Sequence, residues 1–201
     1  GWTVLKQVID AISEESARIG SMIPVILDAK RGDIASTAEA YAKSAFENLD
    51  ADCITLSPYL GKDSIDPFIQ KSEKGIFLLC KTSNPGSGDL QDIVLSDGDL
   101  LYEHVAKLAQ SWNTKNNIGL VVGATHVDAM KRVRAAAPDL WFLAPGVGAQ
   151  GGELESALKA GLRKDGKGLL IPISRSISRA EKPGLAAAEI RDSMLEIRES
   201  M

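Results

Sequence analysis

Asp28, Lys30 and Asp33 stand in the spacing D-x-K-x-x-D, with Arg31 between them, where the apolar run PVIL ends. On a strand, residues two apart share a face, so a carboxylate and an ammonium would project together. Parallel α/β folds keep their ligands at this C-terminal mouth of the sheet. A carboxylate and an ammonium there stand where such folds keep their chemistry. The same spacing also fits an ion pair that closes a strand end, or a charged rim in water.

Two further stretches carry polar chemistry. In PGVGAQGG, Gly146, Gly148 and Gly151 satisfy G-x-G-x-x-G between a strand-like run and a helix-like one. Read as a dinucleotide fingerprint, the motif demands an acid about 20 residues on to hold the ribose. The next strand instead ends IPISRS, with Arg175 and no acid. One phosphate monoester, held by backbone N–H groups, the N-terminus of a helix beginning near Glu153 and the Arg175 guanidinium, accounts for these residues better. Ser83-Asn84-Pro85-Gly86 reads by itself as a turn. His104 and His126 have no partner at metal-ligand spacing, and Trp2, Trp112 and Trp141 lack the basic interleaving of a nucleic-acid platform.

The elements that must position these groups alternate. Residues 3–19 carry apolar side chains at helical spacing, and Gly20 is a stop. PVILDAK reads as a buried strand, and TAEAYAKSAFENL as a helix capped by Ser36 or Thr37. DCITLS, GIFLLCKT, IGLVVGA, LWFLAP and GLLIPIS read as strands. Helices follow around IDPFIQKS, in DLLYEHVAKLAQSW after a loop from Ser83 to about Gly98, in HVDAMKRVRAAA and in ELESALKAGL, and a last one runs from about Gly184 to Glu199. Six strands apolar enough to be covered on both faces predict a parallel α/β fold. A barrel would need about two strands and one helix ahead of Gly1.

At 201 residues, 44% hydrophobic and 25% charged, the chain suits one compact domain, and a net charge of −4 offers no global pull on nucleic acid or an anionic membrane surface. Cys53 and Cys80 lie in apolar runs and read as reduced core residues of a cytoplasmic protein. No apolar run approaches a membrane span.

The stretch DAKRGDIASTAEAY resembles the signature of the orotidine 5'-monophosphate decarboxylases, D-x-K-x-x-D followed by I-x-x-T, here Asp28, Lys30, Asp33, Ile34 and Thr37. KTSNPGSGDLQ, LWFLAPGVGAQGGE and IPISRSI continue the resemblance in family order. It implies a TIM (β/α)8 barrel, with residues 1–201 forming one barrel domain that begins after the first two strands. It implies cofactor-independent, metal-free decarboxylation of orotidine 5'-monophosphate to uridine 5'-monophosphate, the last step of de novo UMP biosynthesis. Lys30 would stabilise and protonate the carbanion, and Asp28 would stand beside the departing carboxylate. Asp33 and Thr37 would reach across the two-fold interface of a homodimer with shared sites. Ser83 would bond the pyrimidine edge, and Ile34, Pro145, Gln150, Gly151, Ser174 and Arg175 would complete the substrate-binding set, with Gln150 bridging to the phosphate. Many family members have glycine where this chain has Ser174. Some relatives are fused to orotate phosphoribosyltransferase. The competing readings are a Mg2+-dependent sugar-phosphate decarboxylase or aldolase relative, and a non-catalytic nucleotide-binding fragment.

Overall fold

The computed structural model of the chain describes residues 1–147 and 151–201. Among these residues, six parallel strands pair in chain order: β1 (Ile26–Arg31), β2 (Cys53–Leu56), β3 (Gly75–Lys81), β4 (Ile118–Val122), β5 (Trp141–Leu143) and β6 (Leu169–Leu170). Parallel neighbours need a crossover, and a helix follows each strand, as in consecutive units of the TIM (β/α)8 class. The chain forms two compact units, Gly1–Leu79 with Asn113–Ile118, and Cys80–Trp112 with Gly119–Met201.

In the first unit, helix α1 (Trp2–Ile19) ends as its sequence predicts, on Gly20 in the left-handed conformation at φ 65. Helix α2 (Ala35–Lys43) begins earlier than expected. Its N-cap is Ile34, in extended conformation with no side-chain cap bond, so neither Ser36 nor Thr37 caps it. The helix then widens into a π-helical turn, Ser44–Asn48, in which the Leu49 N–H donates to the Ser44 carbonyl five residues back. That turn buries Phe46 edge-on against Phe68 of the short helix α3 (Asp66–Ile69). Ile54, Leu56, Ile76 and Leu78 from β2 and β3 fill the centre of this core.

In the second unit, helices α5 (Leu101–Trp112), α6 (Val127–Ala136) and α7 (Gly151–Gly161) pack in sequence, α5 on α6 and α6 on α7. They cover Leu120, Val122, Leu140 and Phe142, with Met130 and Val133 of α6 fully buried. The stretch from Ser83 to Gly98 is more structured than its polar composition suggests, since it contains a short helix α4 (Gly88–Gln91). β6 is shorter than predicted, at two residues. Pro172 follows close behind and has no N–H to donate to a ladder. A short helix α8 (Arg175–Ser178) and the long α9 (Pro183–Glu199) end the chain. Both cysteines are free, and the Cys80 thiol, pushed up by burial, donates to the Tyr102 carbonyl at 3.2 Å. Among the described residues, no helix is long and apolar enough to cross a membrane.

Candidate active site

The C-terminal end of β1 does not follow a regular ladder. Leu27 pairs with Ile54, but the next matched pair is Arg31 with Leu56, so four steps along β1 oppose two along β2. Asp28, Ala29 and Lys30 occupy this bulge, and Lys30 has φ 48, a left-handed conformation that is uncommon for a residue with a side chain. The Lys30 ammonium meets the Asp28 carboxylate at 2.6 Å. The predicted juxtaposition is therefore present, but a bulge produces it rather than simple strand alternation.

Thr55 of β2, wholly buried, lies opposite the bulge. Its hydroxyl donates to Asp28 Oδ1 at 2.8 Å and accepts the Lys30 backbone N–H at 2.9 Å. Burial pushes the Asp28 carboxyl up, but the hydrogen bonds from Lys30 and Thr55, with the Lys30 charge, outweigh it and hold the group below the usual carboxylate range. Arg31 is turned to other work, with its guanidinium 4.9 Å from the centre of the Tyr41 ring.

Asp33 stands apart from this cluster. Its carboxylate accepts the N–H of Ile34 at 2.9 Å, and among the described residues it makes no ion pair. Ile34 is 54% exposed, and Thr37 is exposed with its N–H donating to the Ile34 carbonyl. Tyr59 and Leu60, which follow β2, are exposed as well.

In the second unit, Ser83 is held from several directions. Just before it, the Lys81 side chain is only 4% exposed and bonds Asp92 at 2.6 Å, with Ser87 at 3.4 Å and the Tyr102 ring 5.6 Å away. Thr82 is clasped by Gln91 of α4, its N–H donating to Oε1 and its hydroxyl accepting from Nε2, each at 2.9 Å. Beside Ser83 lies Gly123, whose N–H donates to the Lys81 carbonyl at 2.7 Å. A Cβ on Gly123 would come within 3.0 Å of the Ser83 Cβ and 3.1 Å of its backbone N. Gly146, at φ 99, is close enough that a Cβ there would stand 4.0 Å from Ser83 Oγ. The Ala124 N–H donates to the Pro145 carbonyl at 2.9 Å. Ser83 and Pro145 thus share one neighbourhood, with two members that their sequence positions did not advertise: Gly123, and Thr125, whose methyl would lie 3.5 Å from a Cβ on Gly146.

The phosphate-side residues are partly visible. Gln150, with Gly148, lies outside the described residues. Gly151 opens α7, two residues earlier than the predicted start near Glu153. Arg175 does not end a strand. It is the first residue of α8, with Ser174 as the N-cap. Arg175 is exposed and makes no hydrogen bond or ion pair through its side chain among the described residues.

A family model described as orotidine 5'-phosphate decarboxylase / HUMPS family matches residues 4–190. The chain belongs to this family. It is 49% identical over 202 residues to an orotidine 5'-phosphate decarboxylase of Roseiflexus castenholzii, covering all of this chain and 71% of that protein. The solved structure of Leishmania donovani OMP decarboxylase is similar with a TM-score of 0.90 and 52% identity, over 98% of this chain and 75% of that one. Leishmania donovani UMP synthase gives a TM-score of 0.89 at 53% identity, with 98% of this chain and 43% of that longer one covered. The family relatives at this level of identity carry the decarboxylase name, and the sugar-phosphate and non-catalytic readings find no support among them.

Proposed function

We propose that the protein converts orotidine 5'-monophosphate to uridine 5'-monophosphate and CO2, with Lys30 and Asp28 at the reacting carbon. The observation that carries this reading is the Asp28–Lys30 pair at 2.6 Å on a bulged strand end, in a chain half identical to decarboxylases. Breaking the bond between the pyrimidine and its carboxyl group leaves an electron pair on carbon 6. An ammonium fixed beside that carbon stabilises the charge as it develops and then delivers the proton that completes the product. Asp28 lies against the ammonium and stands where the carboxylate departs. No metal or organic cofactor takes part in this scheme.

Recognition falls to the other residues. Ser83 bonds the pyrimidine edge, and Ile34 and Pro145 contact the substrate. The phosphate is held by Gln150, Gly151, the Ser174 N–H and the exposed Arg175 guanidinium. Phosphate binding far from the reacting carbon supplies energy that can be used at the transition state. The protein acts as a homodimer in which Asp33 and Thr37 enter the neighbouring subunit's site. Asp33's absence from the Asp28–Lys30 pair and the exposure of Ile34 beside it support this arrangement. Residues 1–201 belong to one barrel domain, and free thiols at Cys53 and Cys80 suit a reducing cytoplasm.

Loss of orotidylate absorbance, followed with EDTA present, tests the reaction. Full turnover is expected in the parent protein and none measurable in Lys30→Ala, which should still bind UMP through the phosphate contacts. Near-native turnover by Lys30→Ala would remove Lys30 from the mechanism, and loss of turnover with EDTA would replace this scheme with a metal-dependent one.

A further inference from the structure

The catalytic pair does not hold itself in place. The Asp28 and Lys30 side chains are 60% and 51% exposed, and an ion pair so open to water contributes little. The left-handed backbone at Lys30 costs about as much or more. Something else must fix this geometry, and the bulge shows what it is. With Leu27 matched to Ile54 and Arg31 to Leu56, no residue of β1 is matched to Thr55. The Lys30 N–H would have no ladder partner there, and Thr55 Oγ1 takes the place of the missing acceptor at 2.9 Å.

We propose that Thr55 is a positioning residue for the decarboxylation, its one hydroxyl fixing the Lys30 backbone and the Asp28 carboxylate at the same time. This rests on the catalytic reading of Asp28 and Lys30 given above. A hydroxyl has one proton to give and lone pairs to accept, and here both functions are used on the two partners of a single ion pair. Thr55 is wholly buried, so its own hydroxyl is shielded from water, and as a β-branched residue it is stiff at χ1. A threonine in a strand needs no functional reason, since β-branched residues favour strands. Strand propensity, however, is served equally by valine, which has the same shape and neither bond.

That equivalence supplies the test. In the full-length protein, Thr55→Val should lower kcat by about 10- to 100-fold, the scale of a misplacement near one ångström. KM and the affinity for UMP should stay within about twofold, because the recognition contacts lie elsewhere. Thr55→Ser should return most of kcat. Native kcat in Thr55→Val, or equal losses in kcat and UMP affinity that serine does not repair, would overturn the proposal. If the valine protein does not fold, Thr55→Ala takes its place with the same expectations, and native kcat in that variant overturns the proposal as well. Lys30→Ala in the same assay separates the two levels. Turnover by Lys30→Ala removes the catalytic reading and this proposal with it, whereas an inactive Lys30→Ala beside a native Thr55→Val removes only the positioning role.

Discussion

At the scale of single residues, the chemistry-bearing side chains were legible where they lie close in sequence. Asp28 and Lys30 are two apart, and their types announce an ion pair at a strand end. Thr55 was not legible, because its partners lie 25 and 27 residues away and its type is ordinary for a strand. Gly123 was hidden for the same reason. Its meaning lies in the space it leaves to Ser83, which depends on how two chain segments meet. A methyl group at Gly123 would press on the Ser83 backbone rather than on a flexible side-chain end, so Ser83 must give by a few tenths of an ångström. If Ser83 reads the pyrimidine edge, Gly123→Ala should raise KM for orotidylate about tenfold, roughly the loss of one hydrogen bond. Ser83→Ala should do the same, and the double variant should be little worse than either single one, because both remove one interaction. Steady-state kinetics on the three proteins checks this. Additive losses would separate Gly123 from Ser83.

At the scale of elements, the helices and strands with long periodic patterns stand close to where the sequence put them. The misses have local physical causes. α2 starts from Ile34 because the chain leaving Asp33 is already extended there. The π-helical turn after it could not be read, since 3.6-residue periodicity has no term for one extra residue. Arg175 was placed at a strand end because an apolar run preceded it, yet Pro172 ends the ladder early and α8 receives the arginine instead. Arg134 shows how the second unit ties its element ends together. From the last turn of α6 its guanidinium donates to the carbonyls of Ala137, Leu140, Gly161 and Gly168, with that of Pro138 at 3.4 Å, and it lies 3.6 Å from the centre of the Phe142 ring. Burial pulls it down to about 10, so it stays charged at neutral pH. Arg134→Met should destabilise the fold by about 3 kcal/mol, because buried carbonyls lose their donors. Arg134→Lys should recover little of this, since an ammonium cannot spread over the same fork of acceptors. Denaturant unfolding of the three proteins measures both effects. A lysine variant as stable as the parent would reduce Arg134 to a simple point charge.

At the scale of the whole molecule, the proposed homodimer makes a statement about which chain completes which site. Among the described residues Asp33 makes no ion pair and instead accepts the N–H of Ile34, while the Asp28–Lys30 pair is already satisfied by Thr55. If Asp33 serves the adjoining subunit, Asp33→Ala and Lys30→Ala proteins should each be nearly inactive alone. In a mixed dimer, one site draws both defects and the other draws neither. Random reassociation of equal amounts gives about half heterodimers, each with one intact site of two, so about a quarter of native activity should return by symmetry counting. Unfolding and refolding the mixture together allows the exchange, and differently tagged chains show by pull-down that heterodimers have formed. Recovery near that level would establish sharing, because two chains defective in the same self-contained site could regain nothing. Demonstrated heterodimers without activity would put Asp33 back in its own subunit's site, and the exposed Ile34 beside it would then need another explanation.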